Sequence, residues 1–316
     1  ERFGKAASAL YVVVAGFGMA ICLASVLLAT SGTALGMMGK AGTARAEAWR
    51  LGILVVCTFV FMIYGYWGGI VAAIRTDMLQ GLGIILLSIL AVPAALRLPE
   101  VGGFSGLREA LTAASSEGTN YLSLFDPEDF QISVVLLLCI QAPLTALGLP
   151  HLVTVCGAGK TEWEGRAGYA GGNMLKRICT IGWAILGLCW LAYLVQTGQS
   201  IDPDAAFGDS IRHLLPPVLQ GLMLACVLAA SMSSGDAFQV TVAGLFSRNV
   251  YRTYFRPDAE DTEIVWVTRL AGIAFVISSL VAAIIIKDIV DAIIAYFSVL
   301  ALLGISTAMG ILWRRM

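Results

Sequence analysis

Long apolar runs separated by short polar stretches dominate this chain. Eight of them approach the roughly 20 mostly apolar residues that a helical membrane crossing needs. They are Ala6 to Met38, Trp49 to Tyr66, Thr76 to Leu96, Phe130 to Leu149, Asn173 to Gln196, Pro217 to Phe255, Ile264 to Ile286 and Ile289 to Trp313. In hydrocarbon every backbone amide must find its partner inside the protein, so each run predicts a helix. The first and sixth exceed a perpendicular crossing, which predicts tilt or protrusion. The pattern as a whole predicts an all-α, polytopic transmembrane helical bundle, a single domain over residues 1–316 embedded in a lipid bilayer.

Composition supports that class. Apolar residues make up 58% of the 316 positions and charged residues only 13%, against about 25% charged in ordinary soluble domains. Mean hydropathy is +0.84. A net charge of -1 without a polybasic tail gives no reason to expect a nucleic-acid partner. The seven cysteines form no C-x-x-C pair and read as small apolar fillers. The chain starts at Glu1 and shows no signal peptide, as an excised segment would.

Loop charge sets an expected orientation, because cytoplasmic loops are enriched in Lys and Arg. Placing the N-terminus inside puts most of the 20 basic residues on the cytoplasmic side and leaves Lys40, Arg45, Arg50, Arg97, Arg108, Arg212 and Lys287 outside. The expected location is the inner (plasma) membrane. On the outer side, Leu107 to Thr112 is amphipathic and residues 203–215 suit a second short helix. Residues 157–172, rich in glycine and charge, predict a mobile loop.

Two interior segments carry candidate chemistry. In the fourth, Gln141, Thr145, Gly148, Pro150 and His151 accompany two prolines and a glycine that should break the helix. A broken span exposes carbonyls and amides that must face a cavity or other protein, and transporters place their solutes at such breaks. The alternative is a kinked packing helix. In the sixth, Ala229 to Asp236 interrupts the apolar run. Ala230 and Ser234 share a helical face with Ser233 beside it, and oxygen ligands suit Na+ as they do other hard cations. Two hydroxyls and the Ala230 carbonyl, freed by distortion near Gly235, would supply part of a shell. Taken alone, small-residue packing with serines bonded to their own turn is the stronger reading. Asp236 is a second intramembrane candidate. Asp77, opening the third segment, suits a helix N-terminus. His151 and His213 are too separate for a metal site, and no nucleophile, base and acid set or phosphate loop points to an enzyme.

Three strings then stand in a telling order: Tyr66-Trp67-Gly68-Gly69-Ile70-Val71-Ala72-Ala73-Ile74-Arg75-Thr76-Asp77-Met78-Leu79-Gln80, Gly148-Leu149-Pro150-His151-Leu152, and Ala229-Ala230-Ser231-Met232-Ser233-Ser234 with Phe246-Ser247-Arg248-Asn249-Val250-Tyr251. Together they resemble the sodium:solute symporter family, over essentially the whole chain. The resemblance implies a LeuT-like five-plus-five inverted repeat, with the eight segments as core helices three to ten. It implies Na+ as the transported coupling ion, held by the Ala230 carbonyl and the Ser233 and Ser234 hydroxyls, with Asp77 as a cytoplasmic-side Na+ relay. It also implies that Pro150 and its neighbours wall the cavity for a small organic solute. Core helices one and two are expected before Glu1 and further helices after Trp313, so the chain would hold half a sodium site. Val153-Thr154-Val155 stands where the family often has an arginine. The expected function is Na+-coupled symport by alternating access; the alternative is a solute-sensing input domain of a signalling protein on the same fold.

Overall fold

The computed structural model describes residues 4–67, 69–115, 121–123 and 131–312; the side chains at 67, 69–77, 79, 87 and 88 lie outside the described set. Helices account for nearly all of it, and no strand occurs among the described residues. The order is α1 (Gly4–Met37), α2 (Ala46–Trp67), α3 (Gly69–Leu96), α4 (Gly103–Ala114), α5 (Ile132–Gly148), α6 (Pro150–Gly157) and α7 (Glu162–Thr197). A 3-10 turn (Pro203–Ala205) then leads into α8 (Ala206–Leu214), followed by α9 (Pro217–Phe246), a π-helical segment (Ser247–Phe255), α10 (Asp261–Ile286) and α11 (Ile289–Leu312).

Among the described residues, six helices are long and apolar enough to cross a membrane, seven crossings if α5 and α6 count as one bent span. The eighth expected segment is α3, whose Gln80–Leu96 part is a shorter apolar helix. Burial identifies the centre of the bundle. In α1, 67% of the most apolar window is enclosed, against 28% or less in the other five long helices. A helix apolar on all sides belongs in a core, and α1 accordingly packs Met19, Leu23 and Leu27 against α2, α9, α10 and α11.

α4 buries Leu107, Ala110 and Leu111, as its amphipathic pattern predicts. The segment of residues 203–214 lies across the end of α1. Gly32 and Gly36 of α1 sit on the Asp204 and Ala205 carbonyls, and Gly208 on the Thr33 carbonyl, so a side chain at any of the three would strike backbone. Arg50 of α2 secures the same segment. It pairs with Asp202 at 2.7 Å and Asp204 at 3.6 Å, and donates to the Lys287 carbonyl at 3.3 Å.

Asp209 of α8 is 7% exposed, with Arg212 at 3.9 Å and His213 at 3.7 Å. Desolvation raises its carboxyl above the ordinary value of 3.8, and His213 and Arg212 lower it only in part. A carboxyl raised on folding binds its proton more tightly in the native state. Its stabilising contribution is therefore present below 3.8 and lost as pH rises through the raised folded value. Asp209→Asn should flatten the gain in thermal stability that wild type shows on mild acidification; an unchanged profile would remove Asp209 as its source.

Two expectations need correction. Residues 162–172 are helical, and the connection from α6 shrinks to 158–161. The Thr161 hydroxyl accepts from the Glu164 amide at 3.2 Å, and the Glu164 carboxylate accepts from the Lys160 amide at 2.8 Å. With Glu162 and Glu164 in the first turn the helix dipole is also complemented, which offsets a helix cost of about 1 kcal/mol per glycine. The second correction concerns Gly235. α9 runs unbroken from Pro217 to Phe246, and the irregular backbone comes later, as the π segment.

Candidate functional site

The interior of α9 faces several neighbours in turn. Successive residues are about 100° apart around a helix, so each of its polar groups has its own environment. Ala230 and Ser234 line a cavity of about 450 Å3, together with Thr30 and Thr33 of α1, Trp183 of α7 and Phe207 of α8. Among the described residues, no charged side chain lines it. Ser231 is in hydrogen-bond contact with Thr30, and each of these hydroxyls also reaches a carbonyl of its own helix, Val227 and Val26 respectively. Ser233 is not in the lining.

Hydroxyl partners separate Ser233 and Ser234 from most of their counterparts. Ser25, Ser31, Thr58, Ser278 and Ser279 all donate to carbonyls three or four residues earlier. Ser233 and Ser234 are half-buried, and among the described residues neither hydroxyl has a hydrogen-bond partner. The packing alternative has serines bonded to their own turn, as Ser231 is; among the described residues, Ser233 and Ser234 are not so bonded. The Ala230 carbonyl sits in regular helix, yet a helical carbonyl keeps a second lone pair. Asp236, one turn beyond Ser233, is 1% exposed.

Asp77 lies on α3, but its side chain is outside the described set. The backbone still places it. Ala91 and Ala95 cluster with Leu215 and Met223, and Gly83 meets Cys226, so α3 runs antiparallel to α9 and residue 77 comes level with the turn around Met232.

The break in the fourth span falls at Leu149, where α5 and α6 meet at 55°. Pro143 is accommodated inside α5, and Pro150 takes the first position of α6. Proline there loses nothing, since that amide has no helical acceptor. It also holds Leu149 extended, at φ -83° and ψ 104°. Three of the candidate residues fasten α5 to α11. Gln141 Nε2 donates to Ser298 Oγ at 3.2 Å, Thr145 Oγ1 donates to the Phe297 carbonyl at 3.0 Å, and Gly148 lies on the Leu300 carbonyl. Gly304 reciprocates against the Leu144 carbonyl. His151 sits edge-on to Phe238 of α9, centroids 4.5 Å apart, with Nδ1 buried and unpartnered. None of these five residues lines the cavity that Ala230 and Ser234 face.

Thr30, Thr33, Trp183 and Phe207 escaped the sequence reading. The run Thr30-Ser31-Gly32-Thr33 inside the first apolar segment was a usable signal for the first two. Nothing local marks Trp183 or Phe207.

The chain is 26% identical over 273 residues to the osmoregulated proline transporter OpuE of Bacillus subtilis, covering 85% of this chain and 53% of that protein. It is 27% identical over 236 residues to the high-affinity proline transporter PutP of the same organism, covering 73% of this chain and 47% of that one. It thus spans about half the length of these relatives. Among solved structures it shares the fold of a Na+-coupled sialic acid symporter in a substrate-bound, outward-open state, with a TM-score of 0.67 at 19% identity over 87% of this chain and 58% of the other. The sequence profile of the sodium:solute symporter family matches residues 43–316, and the chain belongs to that family.

Proposed function

We propose that the full-length protein couples inward Na+ movement to uptake of a small organic solute by alternating access, and that α9 supplies one half of the cation site. The observation that supports this most is the pair of unpartnered hydroxyls at Ser233 and Ser234 beside the cavity that Ala230 and Ser234 line. The Ala230 carbonyl and these two hydroxyls are the proposed ligands. Asp77, level with the same turn, is the proposed relay toward the cytoplasm. The remaining oxygens come, on this reading, from the first core helix of the inverted repeat, which is not among the elements described.

Pro150 and His151 stand at the bend as the proposed solute-facing pair. Gln141, Thr145 and Gly148 set the angle of that bend by holding α5 on α11. Coupling needs only that bound Na+ favour the conformation that accepts solute, because a ligand shifts an equilibrium by its differential affinity for the two states. The membrane potential adds about 2.3 kcal/mol per charge per 100 mV. The relatives named as proline transporters favour a compact solute.

Thermal unfolding of the full-length protein in Na+ and in choline at equal ionic strength is the test. Binding to the native state alone stabilises by about 2.7 kcal/mol at a hundredfold excess over Kd, so the midpoint should rise with Na+. Equal midpoints across the Na+ range would contradict a cation site.

A further inference from the structure

α3 comes closest to α9 at Gly83, where a side chain would stand 2.7 Å from Cys226 Sγ. Cys226, Ala230 and Ser233 are four and seven residues apart and fall within about 60° of one another around α9. The stripe they form therefore faces α3. On the other side of this contact, Gln80 lies three residues from Gly83. The antiparallel pairing that sets Gly83 on Cys226 brings residue 80 level with Ala229 and Ala230. Ile84, one turn from Gln80 on the same face of α3, lines the cavity together with Ala230 and Ser234. Gln80 thus stands at the seam between the α3 contact and that cavity.

The Gln80 residue is half-buried, and its Oε1 is buried with no hydrogen-bond partner among the described residues. An amide oxygen without a donor is costly in an apolar interior, and packing does not return that cost. A long helical side chain leans toward the N-terminus of its helix, so the amide of Gln80 reaches back toward the turn of α9 at Met232 and Ser233. Ser233 lies on the stripe that faces α3, outside the cavity lining, and its hydroxyl has no partner among the described residues either. One contact between two helices therefore holds an unanswered oxygen from each. Gln239, the other buried glutamine of this region, has an unpartnered Oε1 as well. It faces away from α3, in a slot closed by Gly65 of α2 and Gly272 of α10, both of which pack on its amide.

We infer that Gln80 Oε1 is a further ligand of the cation, reaching the half-site from α3 and sharing the ion with Ser233 and the Ala230 carbonyl. This rests on the cation reading of α9. An amide carbonyl oxygen is a neutral ligand of the kind that hard cations take, whereas the Nε2 end of the same amide carries only donors. A ligand on α3 also ties the ion to a second helix, so occupancy holds α3 against α9.

The test is thermal unfolding of the full-length protein, titrated with NaCl against choline chloride at constant ionic strength, which reads binding without uptake. Gln80→Met keeps the length of the side chain and removes its oxygen. It should raise the Na+ concentration for half-maximal stabilisation by about tenfold or more. Its midpoint in choline should match wild type, because Oε1 has no partner to lose. Gln80→Glu restores an oxygen at the same reach and should recover the wild-type Na+ requirement or lower it. Gln239→Met, the same change in the closed slot, should leave the Na+ requirement unchanged. The midpoints in choline show that each variant is folded. If wild type itself gave equal midpoints in Na+ and choline, the cation reading and this inference would fall together. If wild type and Ser234→Ala responded as that reading requires while Gln80→Met titrated like wild type, the inference about Gln80 alone would be overturned. A Glu variant as weak as the Met variant, or an equal loss at Gln239, would overturn it too.

Discussion

Ser234→Ala in the full-length protein should raise the Na+ concentration for half-maximal uptake by about ten- to a hundredfold, because a bond from a neutral group to a charge contributes about 1.5–3 kcal/mol. Folding stability in the absence of Na+ should change by less than about 0.5 kcal/mol, since the hydroxyl has no partner to lose. Ser233→Ala should act in the same direction. Ser231→Ala should do the reverse. Its hydroxyl bonds across to Thr30, so its loss costs about 1 kcal/mol of stability and leaves the Na+ requirement unchanged. Uptake measured against Na+ concentration, together with thermal unfolding, separates the two outcomes. If Ser231 and Ser234 behaved alike, the hydroxyls of α9 would be packing elements and nothing more.

Gly304→Leu should be the most damaging single change at the bend. Gly304 and Gly148 lie on each other's opposing carbonyls, Leu144 and Leu300 respectively, so any side chain at 304 drives α11 away from α5. Overpacking a tight contact costs about 1–3 kcal/mol. Here the separation also breaks the bonds that Thr145 and Gln141 make to α11. We expect a loss of about 3 kcal/mol or more, together with a lower maximal uptake rate as the angle at Leu149 drifts. Gly187→Ala is the matched control. Nothing lies within 4 Å of a side chain there, and removing a mid-helix glycine stabilises by about 0.5–1 kcal/mol. Detergent unfolding midpoints give both values. A tolerated leucine at 304 would show that the α5 to α11 contact does not fix the bend.

The spans were legible because the membrane imposes a length and a composition that single runs of sequence reveal. The amphipathic α4 and the broken fourth span were legible for similarly local reasons: a stripe of Leu and Ala in one, Gly148 and Pro150 in the other. The start of α7 was not. Four glycines between 165 and 172 outweighed the Thr161 to Glu164 cap, although the cap decides whether the helix begins. Continuity through Gly235 was hidden for a different reason. Phe61 of α2 packs on that glycine, and a contact between residues so distant in sequence leaves no local mark. Of the candidate site, Ala230, Ser233 and Ser234 came from one string. The cavity that Ala230 and Ser234 line is completed by Thr30, Trp183 and Phe207 from three other helices, which only the fold brings together.

The proposed half-site on α9 would account for the half-buried hydroxyls at Ser233 and Ser234. In hydrocarbon an unpartnered hydroxyl costs several kcal/mol, so Ser233 and Ser234 need a cavity, a cation or both. The cavity against Ala230 and Ser234 supplies the first. The second is decided most directly by solute uptake into proteoliposomes holding the full-length protein, with an inward Na+ gradient or with choline in its place at the same membrane potential. Accumulation in Na+ and its collapse in choline is the predicted result. Equal accumulation in the two would contradict Na+ coupling through Ser233 and Ser234.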